Sequence, residues 1–158
     1  MDITKMFNRI GLHPSQWDLQ RIFWRESPNE ELKEYQITVV MFGLASSPYN
    51  AVRTLIQCAI DLEKQFPKAA NIIKKCFYMD DGIFGCECVE EAKILCKEIE
   101  FILNQANFPL KSWASNSKEL EAYMNGNSSE NILLGQDDEA KVLGSKHFQA
   151  NNIRTSGN

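Results

Sequence analysis

Lys75-Cys76-Phe77-Tyr78-Met79-Asp80-Asp81-Gly82-Ile83-Phe84-Gly85 is the stretch on which the reading of this chain turns. Apolar residues flank an Asp-Asp-Gly, and Asp-Gly between apolar runs is the strongest short signal for a tight β-turn. An ordinary hairpin would need only one of the two aspartates. The second, adjacent carboxylate adds repulsion for which a purely structural hairpin has no use, and a bound divalent cation would relieve it.

Helical patterns lie on both sides. Downstream, Val89, Ala92, Leu95, Cys96, Ile99, Ile102, Leu103 and Ala106 form one apolar stripe, which predicts a helix over about 88–106. Its first turn carries Glu90 and Glu91, favourable near the positive end of the helix dipole. Upstream, Val52, Leu55, Ile56, Ala59 and Leu62 recur at helical spacing from Pro48, a residue suited to a first helical turn, and predict a helix over about 48–65. Before that, residues 21–25 and 34–42 are rich in β-branched and aromatic residues, with Ser27-Pro28-Asn29-Glu30 between them, and predict a β-hairpin.

The chain has 158 residues, 44% of them apolar and 24% charged, enough for one core and too little for a second full domain. No apolar run reaches the roughly 20 residues that cross a bilayer, and no secretory leader pattern opens the sequence. The expectation is an intracellular, cytoplasmic chain with no membrane partner, not a secreted one. The net charge of −4 is the wrong sign for a broad nucleic-acid-gripping surface. Five cysteines, odd in number and without a C-x-x-C, read as reduced thiols and argue against zinc. Beyond residue 125 composition shifts to turn formers, with Gly126, Gly135, Gly144 and Gly157 half of the eight glycines. The organisation expected is one unit over 1–124 and a loop-rich tail over 125–158, with a short edge strand near 141–144.

Tyr78-Met79-Asp80-Asp81 is the Tyr-x-Asp-Asp box of reverse transcriptases, and it does not stand alone. Asp2-Ile3-Thr4-Lys5-Met6-Phe7 resembles the polymerase A motif, and Gly43-Leu44-Ala45-Ser46-Ser47-Pro48 the B motif, a loop that opens a helix. The segments 108–116 and 141–144 look like the D and E regions. Phe23-Trp24-Arg25, Phe42 before the B motif, and Trp113-Ala114-Ser115-Asn116 give the whole, over about residues 2–144, a resemblance to the reverse transcriptase of BEL/Pao long-terminal-repeat retrotransposons.

The resemblance implies an α+β palm: a small antiparallel sheet carrying the Asp2 and Asp80 regions, packed on two helices, with fingers missing and thumb mostly absent. It implies RNA-directed DNA polymerisation with two Mg²⁺ or Mn²⁺ ions. Asp2 and Asp80 would be the essential ligands and Asp81 the third carboxylate. Phe7 would lie beneath the incoming sugar, Gly43 through Ser47 and Pro48 would line nucleotide and template, Tyr78 and Met79 would contact primer and nucleotide, and Lys111 would stand near the pyrophosphate. Partners would be an RNA or DNA template with primer, deoxynucleoside triphosphates, and the rest of a polyprotein with fingers, thumb and ribonuclease H. Chemistry supports the same carboxylates: nucleotidyl transfer needs two hard cations about 3.5–4 Å apart, bridged from adjacent strands. The isolated chain is expected to be inactive. The rival reading is a retained remnant that folds, binds protein or nucleic acid, and catalyses nothing.

Overall fold

Ala51, Leu55 and Ala59, one helical turn apart, are fully buried along one side of helix α1, Ser47–Leu62. Pro48 sits in its first turn, where a missing N–H removes no bond. The acid-led helix α3 is Val89–Gln105; it buries Ala92, Leu95, Cys96, Ile99, Ile102 and Leu103 and begins with Glu90 and Glu91. Burial pushes the Cys96 thiol up to about 11, so it packs as a neutral, small apolar group. These two helices agree with the apolar stripes. The computed structural model describes residues 1–111, 113–126 and 153–155.

Two further helices were not expected. Helix α2, Pro67–Cys76, buries Ala69, Ala70 and Ile73 and ends with Lys74 and Lys75 at the negative end of its dipole. It packs against both α1 and α3, and Lys74 Nζ donates to Glu63 Oε1 at 2.6 Å. Helix α4, Lys118–Gly126, lies against α3 and buries Met124. The core is therefore backed by four helices among the described residues, not two.

The sheets also differ from the single one expected. Strand β1, Arg21–Trp24, pairs antiparallel with β2, Lys33–Ile37, in the register Arg21↔Gln36 to Trp24↔Lys33. The anticipated hairpin forms, but β2 stops at Ile37 because the next residues change partner. Leu12 N–H donates to Thr38 O at 2.8 Å and Val40 N–H to Ile10 O at 2.8 Å. On its other side β2 pairs with β5, Ile153–Thr155. The second sheet is the hairpin of β3, Phe77–Tyr78, and β4, Asp81–Gly82. Helix α2 passes into β3 with no intervening residue. The edge strand anticipated near 141–144 lies outside the described residues. No helix among those described is long and apolar enough to cross a membrane.

Candidate active site

The β3–β4 hairpin turns at Met79-Asp80, two residues before the position that Asp-Gly had suggested. Met79 takes the left-handed φ of 59° that such a tight connection demands, a conformation that a long side chain adopts only when its surroundings impose it. Gly82 is in the ladder, and close approach explains it: a Cβ there would lie 2.6 Å from Met1 Cε and 2.7 Å from Phe77 Cζ. The cue that locates this turn is the spacing of two residues between Tyr78 and Asp81, which face each other.

The segment holding Asp2 lies beside β4. Ile3 N–H donates to Asp80 O at 2.9 Å and Gly82 N–H to Met1 O at 3.0 Å, so Asp2 and Asp81 form the pair between those bonds. In antiparallel pairing this is the close type of pair, with Cα atoms about 4.5 Å apart and side chains on one face. Two carboxylates thus stand opposite each other across neighbouring strands, with Asp80 next in line at the turn. On the other edge Lys111 N–H donates to Asp2 O at 2.8 Å and Thr4 N–H to Pro109 O at 2.9 Å, with Ile3 opposite Leu110. Four short pieces, 109–111, 1–4, β4 and β3, lie side by side in that order.

The route to Lys111 begins at the end of α3. Asn107 N–H donates to Asn104 O at 3.0 Å and Phe108 N–H to Leu103 O at 2.9 Å. Asn107 has a φ of 58°, the left-handed residue of a Schellman motif, and Phe108 behind it is fully buried. The chain leaves the helix in one fixed direction and lays Pro109, Leu110 and Lys111 along the Asp2 segment.

Electrostatics register the crowding. The Asp2 carboxyl is held above the usual aspartate value, first by burial and then by the charges of Asp80 and Asp81; Lys111 and the amino terminus pull it the other way. Asp2 and Asp80 are half-buried and Asp81 is exposed. Tyr78 and Ile83 stand out in solvent from the same hairpin, 85% and 83% exposed.

The other anticipated residues occupy the neighbouring elements. Phe7 lies in a 3-10 turn, Met6–Arg9, half-buried against the core, and that turn packs on α1. Gly43 has a φ of 88°, a backbone state that glycine alone adopts without strain, in the loop leading to α1. Ser47 is buried, and its hydroxyl donates to the Met41 carbonyl, closing that loop. Its role in this geometry is to shape the loop. Pro48 is exposed beside it.

A hard divalent cation suits this donor set chemically, since carboxylate oxygen is what Mg²⁺ and Mn²⁺ prefer. Among the described residues, however, no three His, Cys, Asp or Glu side chains are gathered closely enough to hold a metal ion as they stand. Asp2, Asp80 and Asp81 are neighbours on the backbone whose side chains are not drawn to one point.

A family model described as reverse transcriptase (RNA-dependent DNA polymerase) matches residues 1–146. The chain belongs to the reverse transcriptase family, whose members copy RNA into DNA on a nucleic-acid template from nucleotide substrates and generally use divalent metal ions. No curated protein and no solved structure matches it.

Proposed function

We propose that this chain is the palm of an RNA-directed DNA polymerase of BEL/Pao type, working by two-metal nucleotidyl transfer within a longer polyprotein. The observation that carries the reading is the pairing of Asp2 with Asp81 in a family member whose Asp80-Asp81 hairpin is rooted directly on α2. In this reading Asp2, Asp80 and Asp81 hold two Mg²⁺ or Mn²⁺ ions, which would activate the primer 3′-hydroxyl and neutralise the departing pyrophosphate. Lys111, beside Asp2, offers its ammonium to phosphate oxygens. Phe7 walls the sugar side of the nucleotide, and discrimination against a 2′-hydroxyl comes from that exclusion. The Gly43 loop lets backbone approach the nucleotide and template, while exposed Tyr78, with Met79, borders the primer end.

Repulsion among the three carboxylates, already felt at Asp2, is what a cation relieves. Mn²⁺ titration of the chain should therefore show weak binding that Asp80→Asn weakens further. When fingers and thumb segments are supplied in one polypeptide, primer extension on RNA should appear and vanish in Asp80→Ala. Synthesis that survives Asp80→Ala would overturn the reading.

A further inference from the structure

A cleft of about 470 Å³ lies where residues 83–88 leave β4, between the start of α3, the 113–117 segment and α4. Its inner part is apolar and rich in sulfur: Cys96, Trp113 and Met124 are buried, and Phe84 and Val89 are half-buried. Polarizable side chains of this kind adapt to apolar groups of differing shape. The polar members of the lining are of two kinds. The Ser115 hydroxyl accepts from Ser117 N–H at 3.0 Å and the Ser117 hydroxyl from Leu120 N–H at 3.3 Å, so both shape the wall itself. The charged members, Glu87 and Glu121, are both carboxylates. Nearby Glu91 and Glu119 are answered by Lys68 at 2.8 Å and Lys93 at 2.6 Å, whereas Glu87 and Glu121 join no ion pair among the described residues.

The geometry points to this cleft as the docking site of a short basic amphipathic helix from another protein, its apolar side chains on the sulfur-lined interior and its Lys or Arg residues at Glu87 and Glu121. Two unanswered carboxylates attract cations and repel a polyanion, so their charge selects a basic peptide over a nucleic-acid strand. Among the described residues, none that lines the cleft belongs to a strand, so a partner finds no backbone ladder to join. A helix satisfies its own backbone and meets a groove with side chains at i and i+4 alone. None of the residues named here takes part in the proposed polymerisation.

The probe is a synthetic peptide of about 14 residues, with Leu at every third or fourth position and Lys between, long enough to form a marginal helix. It is titrated into the whole chain while iodoacetamide alkylation of each cysteine is followed by mass spectrometry. Cys88, exposed in the lining, should be alkylated about tenfold more slowly at a peptide concentration roughly ten times Kd, with Cys58 on α1 unchanged. The same peptide with Ser for Leu should give no protection. Glu87→Lys combined with Glu121→Lys should weaken binding roughly tenfold, and a peptide with Glu in place of Lys should restore it. Ala114→Trp, at an exposed position of the lining, should fill the cleft and remove the protection with the Tm retained. Unchanged affinity in the charge-reversed variant, no protection of Cys88, or equal protection by the Ser peptide would overturn the inference. So would protection by single-stranded RNA stronger than that by the peptide, which would give the cleft to nucleic acid, or protection that grows with protein concentration alone, which would give it to a second copy of the chain.

Discussion

Asp2 meets Asp81 across the strand pair, Asp80 at the turn, and Lys111 on its other edge. Burial, then Asp80 and Asp81, raise its carboxyl pKa, with Lys111 offsetting part of the rise. A carboxyl whose pKa rises on folding binds its proton more tightly in the native state, so its contribution is most favourable below the unfolded value, near 4, and declines as pH rises through the folded value. Asp2→Asn should therefore raise the Tm at neutral pH in the presence of chelator. The gain should shrink toward zero as the pH is taken below about 4, where the wild-type carboxyl is protonated in both states. Thermal melts of the two proteins across that range decide it. A gain that persists undiminished in acid would assign the effect to packing and not to charge.

Helix α3 and its exit determine where Lys111 lies, and the left-handed Asn107 is the pivot. Asn107→Val should destabilise by about 1–2 kcal/mol, since a β-branched residue pays the full steric cost of that conformation, whereas Asn107→Gly should be neutral or mildly stabilising. Urea unfolding of the three proteins measures both. At this scale the sequence was readable where one physical signal dominated. The stripes of α1 and α3 are long and regular, and the Ser27-Pro28 turn joins two runs of strand formers. Helix α2 hides because it is short, 10 residues of which only Ala69, Ala70 and Ile73 are buried, so its apolar side spans too few turns to stand out from the chain around it. The Asp2, Asp80 and Asp81 neighbourhood was legible through carboxylate chemistry, but its pairing was not. The three aspartates were named without a register, and register, which depends on where the hairpin turns, sets Asp81 opposite Asp2. Gly82 misled because the same residue type serves a turn and a close approach. Ser47 reads as a loop hydroxyl until its bond to Met41 is seen.

Across the whole molecule, the carboxylate region is a sheet of short pieces, each continuous with something buried. Phe77 continues α2, Pro109 follows the capped end of α3 and the buried Phe108, and Ile3 and Met6 anchor the Asp2 segment in the core. The net charge of −4 leaves little long-range attraction for a polyanion, so in the proposed polymerase reading recognition would rest on local contacts such as Lys111 and the Gly43 loop.

The direct passage of α2 into β3 has a consequence for how the region opens. Two-residue strands in isolation would fray within the time of a loop fluctuation, and their amides would exchange with solvent almost freely. Here the hairpin that pairs with residues 1–4 continues without a break from a helix packed against both α1 and α3. The amides of Ile3, Gly82 and Lys111 should exchange in concert with those of α2, as one cooperative unit, and more slowly than the longer but peripheral β1–β2 hairpin. Exchange of Ile3 and Gly82 at the rate of Phe23 and Trp24 would show that the carboxylates ride on a mobile flap and not on the helical core.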